Sequence, residues 1–224
     1  QAAQRAHKVW LDTAKAVSKQ RAAVAPTLAQ AVTDAMQTLG MGGGRFEVAL
    51  TPQDEPQAFG LESVEFLVAG YAGSTPRPIG KVASGGELSR LALAIAVTTS
   101  QRSHERSQVG TLIFDEIDSG VGGAVADTVG QLMRRLGHDR QVMAVTHLAQ
   151  VAACAHQHLV VAKSVQSGQT TSDIRAVRDA ERVHEVARML GGAITDTSRA
   201  HAEAMLHHAS QDAKPARRRK DATA

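Results

Sequence analysis

Cysteine and aromatic residues are scarce in this chain. Its 224 residues include one cysteine, Cys154, and aromatic side chains make up only 3% of them. A single cysteine excludes an internal disulfide framework and fits a reducing compartment. Because 43% of the residues are hydrophobic and few are aromatic, the core must be built from Ala, Val, Leu and Ile. Such a core suits helices packed on a sheet, so we predict an α/β fold.

The chain also lacks long apolar runs, and outside its last eleven residues it has no excess of basic residues. No segment approaches the roughly 18 consecutive apolar residues of a membrane span, and the N-terminal residues have no apolar stretch of a signal peptide. We therefore expect a cytoplasmic protein without a membrane partner. The formal net charge of +3 becomes −2 when five basic residues of the last eleven positions are removed. These five are Lys214, Arg217, Arg218, Arg219 and Lys220. They predict a basic, disordered tail over 211–224 that either contacts DNA phosphates or is simply solvated.

Residues 1–39 contain no glycine and predict a long helix. Trp10, Val17, Val24 and Ala31 recur every seven residues, which is typical of the end of a coiled-coil arm. An ordinary amphipathic helix explains the same spacing equally well. Pro26 is expected to kink this helix or to begin a new one.

Residues 40–210 alternate between strand and helix patterns. The predicted strands are 45–50, 63–68, 109–114, 141–146, 158–163 and 172–177, and the predicted helices are 85–101, 123–136, 148–155, 180–190 and 195–210. The apolar runs 109–114 and 141–146 do not alternate with polar residues, so we predict parallel strands buried on both faces. In helix 85–101 the predicted apolar face consists of Leu88, Leu91, Ala92, Ile95, Ala96 and Thr99. Residues 100–108 are expected to form a loop.

A Ser-Gly-Gly-Glu string opens helix 85–101. Ser84 is a good N-cap, and Glu87, three residues on, completes a capping box. Gly85 and Gly86 leave the backbone amides open to a bulky anion, and the positive end of a helix favours phosphate. The alternative is a capped helix with nothing bound.

Adjacent carboxylates end the predicted strand 109–114. Asp115 follows it directly, where a carboxylate can hold Mg²⁺, and Glu116 could polarise an attacking water. His147 follows the neighbouring strand, where an imidazole could meet a γ-phosphate. The alternative is a structural pair of carboxylates at a strand end.

These strings resemble the motifs of ABC-type ATPases, and their order and spacing match the SMC-like branch. Residues 84–90 resemble the signature motif, 112–116 the Walker B strand, 117–120 the D-loop and 145–147 the switch-histidine segment. Wider strings at 45–48, 81–90, 111–123, 145–153 and 188–192 resemble a bacterial branch that repairs DNA double-strand breaks. The resemblance implies a Mg²⁺-dependent ATPase with DNA as partner, and therefore a nucleoid-associated protein. It also implies a homodimer in which ATP lies between two heads.

The resemblance implies a role for each matching residue. Ser84, Gly85, Gly86 and Glu87 would bind the ATP held by the other head of the dimer. Asp115 would hold Mg²⁺, and Glu116 and His147 would be catalytic. Asp118 of the D-loop would contact the opposite head.

A P-loop is missing from the chain. No Gly-x-x-x-x-Gly-Lys-[Ser/Thr] string occurs in it, and Gly40–Gly44 is followed by Arg45. In the resembled family the P-loop lies before the coiled coil, so we expect the chain to be the C-terminal lobe of a head. We divide it into a helical arm end (1–39), the lobe (40–210) and the tail (211–224), and expect no tight ATP binding by the chain alone.

Two other classes of function remain open. The chain could be a non-catalytic module that docks onto a separate P-loop chain or onto DNA. Asp115 and Asp118 could instead form a nuclease-like metal pair. Cys154, His156 and His158 are metal-ligand residue types without a nearby fourth ligand, and His201 and His208 share one face of a predicted helix that is more simply a solvated surface.

Overall fold

The computed structural model describes residues 1–82, 84–100, 109–166, 169–191 and 193–211. The loop predicted after Ser100, the hairpin turn at 167–168 and the basic tail therefore lie outside the described residues. The described chain divides into two compact units, 1–108 and 109–224, which are presented separately. The division into arm end, lobe and tail stays a prediction.

The first unit begins with helix α1 (Ala2–Thr38) and continues with an antiparallel hairpin, β1 (Arg45–Gln57) and β2 (Gly60–Ala69). A short strand, β3 (Arg77–Pro78), pairs with β2, and a 3-10 turn (Ile79–Lys81) follows. Helix α2 (Gly85–Ser100) completes the unit. The hairpin strands are longer than predicted, because pairing continues past a bulge between Pro52 and Gln57.

Helix α1 ends in a well-formed cap. The backbone N–H of Met41 donates to the carbonyl of Met36 at 3.2 Å, and Gly40 takes a φ of 76° between them. This is the Schellman arrangement, in which a left-handed glycine lets the chain turn back over the last helical carbonyls. Met36 and Met41 are both buried, so the turn directs the chain onto the face that the helix packs against.

The last turns of α1 pack on the hairpin, and the predicted heptad of a coiled-coil end stays a prediction. Val32 and Met36 are buried, whereas Val24 is 55% exposed. Within its unit α1 packs against both strands of the hairpin and against helix α2. The helix is continuous through Pro26, so the expectation that a new helix begins there is wrong.

Helix α2 forms where predicted, but its buried face differs from the prediction. Leu88 and Ala92 are exposed, whereas Leu93 and Ala94 are fully buried. The helix is apolar nearly all round, so its sequence does not specify one face.

The second unit contains a parallel strand pair, β4 (Thr111–Phe114) and β5 (Gln141–Ala144), linked by helix α3 (Gly123–Leu136). Helix α4 (Ala149–Cys154) follows, then the antiparallel hairpin of β6 (His158–Gln166) and β7 (Gln169–Val177). Helices α5 (Asp179–Met189) and α6 (Asp196–Gln211) close the unit. The prediction of an α/β fold is confirmed.

The core of this unit lies between helices. Helix α4 packs against α3, α5 and α6, and the residues fully or nearly fully buried there include Val129, Val186 and Ala202. The strands β4 and β5 are not buried on both faces as predicted, since Ile113 is 71% exposed and Met143 45%. An apolar run predicts that both faces of a strand are buried. In the described part of the chain, no residues cover the outer faces of β4 and β5.

No helix in the described part of the chain has the length and apolar character that crossing a membrane requires.

Candidate functional site

The Ser84 turn of the first unit caps helix α2 as predicted. The backbone N–H of Glu87 donates to Oγ of Ser84 at 3.4 Å, and the N–H of Leu88 donates to the Ser84 carbonyl at 3.0 Å. Ser84 and Gly85 are exposed, so the first turn of the helix is open on its outer side. Such a turn offers backbone N–H groups and the positive helix end to an anion.

A buried arginine lies one turn further along α2. The side chain of Arg90 is 6% exposed, and this burial lowers its pKa, while the charge of Glu87 raises it in part. The Glu87 carboxylate also lies beside Gly70, where an added Cβ would be 3.9 Å from Oε2. The first two turns of α2 thus carry a glutamate and a buried arginine whose charges interact.

The turn after β4 presents two exposed carboxylates in the second unit. Oδ1 of Asp115 accepts a hydrogen bond from the backbone N–H of Glu116 at 3.0 Å. Glu116 has a φ of 53°, a left-handed conformation that is uncommon for a residue with a side chain. Strain of this kind persists only where the surroundings enforce it, and it is concentrated at functional sites. The turn closes with the N–H of Ser119 donating to the Glu116 carbonyl at 3.0 Å.

Asp118 differs from its neighbours because it is buried, with 2% of its surface exposed. Its Oδ2 atom accepts hydrogen bonds from Oγ1 of Thr146 at 2.5 Å, from the N–H of His147 at 2.9 Å and from the N–H of Leu148 at 3.3 Å. The Asp118 carboxylate therefore holds the segment that precedes helix α4. Contact of Asp118 with a second head stays a prediction.

His147 stands at the same edge of the strand pair. The N–H of Val145 donates to the carbonyl of Phe114 at 3.1 Å, which extends the pairing of β4 and β5 to their carboxyl ends. Nδ1 of His147 lies 3.1 Å from Oδ2 of Asp118, and the side chain is 74% exposed. The structure thus brings together Asp118 and His147, which are 29 positions apart in the sequence.

The other metal-ligand candidates do not assemble. In the part of the chain that the structure describes, no three His, Cys, Asp or Glu side chains are grouped so that they could hold a metal ion. Cys154 is buried, and the pKa values of His156 and His158 are both lowered, mainly by burial. The three residues do not share one environment, since Cys154 is buried and His156 is exposed. His201 and His208 are exposed, in agreement with the solvated alternative.

Two arginines that sequence reasoning missed hold the other end of α4. Nη2 of Arg182 donates to the carbonyls of Ala152, Ala153 and Ala155 at 3.2, 3.2 and 2.6 Å. Nη1 of Arg134 donates to the Cys154 carbonyl at 2.7 Å. These carbonyls lie in the last turn of α4 or directly after it, and a cation at the negative end of a helix is favourable. Arginine in a helix carries no signal for such a distant partner, so the sequence could not have shown it.

Comparison with solved structures identifies the fold. The chain is similar to the Smc head domain with a coiled coil and joint from Pyrococcus yayanosii, with a TM-score of 0.51 and 20% identity. The similarity covers 73% of this chain and 29% of that one. The fold is therefore that of an SMC-type head, and the fold expected from the motifs is confirmed. No family model matches the chain.

Comparison with characterised sequences identifies the family. The chain is 45% identical over 197 residues to the DNA repair protein RecN of Xylella fastidiosa (strain 9a5c), which covers 87% of this chain and 34% of the relative. It is 39% identical over 203 residues to RecN of Vibrio cholerae, covering 89% and 36%. It is 38% identical over 200 residues to RecN of Deinococcus radiodurans, covering 89% and 34%. Over this length the chain belongs to the RecN family, and it spans about a third of the length of these relatives.

Proposed function

We propose that this chain is the C-terminal lobe of the head of a longer RecN-like ATPase, which hydrolyses ATP between two heads during repair of DNA double-strand breaks. The observation that carries the proposal is the carboxyl edge of β4 and β5. There the exposed carboxylates Asp115 and Glu116 stand beside the segment that carries His147, in a chain up to 45% identical to RecN proteins.

Each residue has a role that its surroundings permit. Glu116 is exposed and held in a left-handed conformation, so its carboxylate is available to orient or deprotonate an attacking water. His147 is exposed at the same edge and would contact the terminal phosphate. Ser84 and Gly85 are exposed in the first turn of α2, and together with the buried Gly86 they would bind the triphosphate held by the P-loop of the partner head.

The carboxylates fit Mg²⁺ in the way that nucleotide sites use it. Mg²⁺ is commonly held by one or two carboxylates together with substrate phosphates and water, so a group of three protein ligands is not needed. Asp115 would hold the ion, with Glu116 beside it, and the ion would neutralise charge on the phosphates. The Oδ1 atom of Asp115 is already fixed by the N–H of Glu116, which orients this carboxylate.

ATP hydrolysis by the full-length protein tests the proposal. Glu116→Gln removes the base without changing the size of the side chain, so we expect kcat to fall about 100-fold or more while ATP binding persists. The control is Glu181→Gln, which changes a glutamate of helix α5 that is 66% exposed. Steady-state hydrolysis with Mg²⁺ and equilibrium ATP binding are the measurements. Unchanged kcat in Glu116→Gln would contradict the catalytic role.

The isolated chain provides a second test. Without a P-loop it should show no saturable sub-micromolar ATP binding, and hydrolysis should appear when the remaining part of a RecN protein is added in trans. If addition in trans restores a complex but Glu116→Gln changes nothing, the docking-module hypothesis is favoured. That hypothesis has support in the exposure of Ile113 and of Val145.

The nuclease-like hypothesis has less support. Asp118 is buried and its Oδ2 atom is occupied by the segment 146–148, so it is not presented beside Asp115 as a second metal ligand. DNA cleavage with Mg²⁺ in the absence of ATP would support the nuclease-like hypothesis. The homodimer and the DNA partner are part of the proposal. If the heads dimerise around ATP, the full-length Glu116→Gln variant should shift from monomer to dimer when ATP is added.

A further inference from the structure

Helix α1 and the hairpin of β1 and β2 are joined by hydrogen bonds where the helix ends and β1 begins. The N–H of Phe46 donates to Oγ1 of Thr33 at 3.0 Å. Nε2 of Gln37 donates to the carbonyl of Gly44 at 2.9 Å, and the N–H of Gly43 donates to Oε1 of Gln37 at 2.8 Å. The helix and the hairpin are thus connected side by side at this end, which is the base of the hairpin.

The segment that links α1 to β1 is rich in glycine. Four of the five residues at 40–44 are glycines, and the φ values of Gly40 and Gly43 are 76° and 73°. Glycine has no Cβ, so it adopts many backbone angles without a steric penalty. Residues 40–44 are therefore suited to act as a joint about which the helix can pivot, unless contacts elsewhere hold the helix in place.

Packing between the helix and the hairpin is incomplete along the middle of their interface. An apolar groove of about 340 Å³ lies between them. Val24 of the helix is 55% exposed, and Val64 and Phe66 of β2 are 44% and 36% exposed. Val64 and Phe66 pair with Leu50 and Val48, so these four side chains share one face of the hairpin. Because this face is only partly covered, apolar packing contributes little to holding the middle of the helix.

Polar contacts hold the helix at the tip of the hairpin. Oγ of Ser18 and Nη1 of Arg21 both donate to the carboxylate of Glu62, the latter at 2.9 Å. Nη2 of Arg21 donates to the carbonyl of Phe59 in the hairpin turn at 3.0 Å. Gly60 leaves room for the guanidinium, since a Cβ there would lie 3.2 Å from Nη1 of Arg21. The tip of the hairpin is thus fastened to the helix by one carboxylate and one carbonyl.

The position of these polar contacts makes them effective against a pivoting movement. A helix rises about 1.5 Å per residue, so Arg21 lies roughly 22 Å along the axis from Met36, which is buried near the joint. Glu62 is 7% exposed, and the hydrogen bonds from Ser18 and Arg21 lower its pKa, so they stabilise its charged form. A contact far from a joint opposes rotation of the helix more strongly than an equal contact beside it.

We propose that Ser18, Arg21 and Glu62 form a latch, which holds α1 against the tip of the hairpin and fixes the direction in which the helix leaves the glycine-rich joint. When the latch opens, α1 pivots about residues 40–44 and the apolar groove widens. Because α1 is predicted to be the end of a coiled-coil arm, the latch would set the angle of that arm. The latch lies within the first unit, and its action is independent of the ATPase activity proposed above.

A distance measurement between two spin labels in the full-length protein tests the latch. Lys8→Cys on α1 and Asp54→Cys on β1 place the labels at exposed positions, and other reactive cysteines are replaced by serine. Arg21→Met combined with Glu62→Gln removes both charges without leaving one buried and unpaired. Double electron–electron resonance without nucleotide should give one narrow distance distribution in the parent protein. In the latch variant the distribution should broaden about twofold or more.

An exposed ion pair of the same hairpin supplies the matched control. Nη2 of Arg45 lies 2.7 Å from Oε1 of Glu47, and both residues belong to the first positions of β1, at the base of the hairpin. Arg45→Met combined with Glu47→Gln makes the same changes of residue type, and the distribution should stay narrow. If this variant broadens the distribution as much as the latch variant does, loss of charge on the hairpin explains the effect and the latch is wrong.

A milder variant keeps the test decisive if the double substitution unfolds the first unit. Ser18→Ala removes the hydrogen bond that contributes most to the lowered pKa of Glu62, and it keeps the ion pair with Arg21. The distribution should broaden, but less than in the double variant. A distribution as narrow as that of the parent in a folded latch variant overturns the proposal, because packing or the remaining part of the protein then holds α1. The measurement needs no ATP, so it is unaffected if the proposed function fails.

Discussion

At the scale of single residues, Gly130 shows how closely two helices of the second unit approach. A Cβ at this position of α3 would lie 2.8 Å from Sγ and 2.9 Å from Cβ of Cys154 on α4. Real carbon atoms are not found at such distances, so the glycine permits the contact between the helices. The position matters for the candidate site because α4 is the helix that follows His147.

Gly130→Ala should therefore destabilise the second unit. The added methyl group forces the helices apart, at a cost of about 1–3 kcal/mol, and the better helix propensity of alanine returns about 1 kcal/mol. We expect a lower urea midpoint and, by displacement of α4, a lower kcat in the full-length protein. The matched control is Gly110→Ala, because a Cβ there meets no atom within 4 Å in the described part of the chain. Equal stability of the two variants would contradict the argument.

The sequence predicts those residue contacts that are local. Ser84 and Glu87 are three positions apart, and the hydrogen bond between them follows from the spacing alone. The hydrogen bond from Thr146 to Asp118 spans 28 positions and depends on how β4 and β5 pair, so no local sequence pattern predicts it. The role of Asp118 within its own unit thus became visible only with the tertiary structure.

At the scale of elements, a buried carboxylate ties helix α1 to the hairpin. Glu62 of β2 accepts hydrogen bonds from Oγ of Ser18 and from Nη1 of Arg21, the latter at 2.9 Å. Nη2 of Arg21 also donates to the carbonyl of Phe59 in the hairpin turn at 3.0 Å. The hydrogen bond from Ser18 is the largest cause of a lowered pKa of Glu62, followed by the hydrogen bond from Arg21.

Glu62→Gln should make the first unit less stable at neutral pH and remove part of its pH dependence. Because folding lowers the pKa of Glu62 from its ordinary value of 4.5, the stabilisation is complete above that pH. It is lost as the pH falls through the lowered pKa of the folded state. The urea midpoints of the two proteins should thus differ at pH 7 and converge under more acidic conditions. Glu65→Gln, an exposed change on the same strand, is the control, and a constant difference at all pH values would be evidence against the mechanism.

The faces of elements were harder to predict than their positions. All the predicted helices and strands of the described chain occur, but the buried face of α2 includes Leu93 and Ala94 instead of Leu88 and Ala92. In helices rich in alanine and leucine, several faces are apolar enough to be buried. The element that each helix packs against then decides, which for α2 is helix α1, and that information is not local.

At the scale of the whole molecule, the second unit leaves apolar strand faces uncovered. Ile113 of β4 is 71% exposed, and on the hairpin of β6 and β7 Val161 is 61% and Ile174 is 64% exposed. Parallel strands are normally covered on both faces. The chain spans about a third of the length of its RecN relatives, so we expect the remaining part of the protein to provide the cover.

Replacing Ile113 by threonine should consequently improve the solubility of the isolated chain but lower the stability of the full-length protein. Ile113→Thr removes exposed apolar surface from the isolated chain, so the concentration at which the chain aggregates should rise. In the full-length protein we expect this side chain to be covered, so the threonine hydroxyl would enter an apolar environment and the free energy of unfolding should fall by about 1–3 kcal/mol. Tyr71→Ser is the matched control, because Tyr71 is 69% exposed in a turn of the first unit and should not lower the stability of either form. Light scattering of the chain and urea unfolding of the full protein measure the two effects. If Ile113→Thr leaves the full-length protein as stable as before, β4 stays uncovered there, and the proposed completion of the head is wrong.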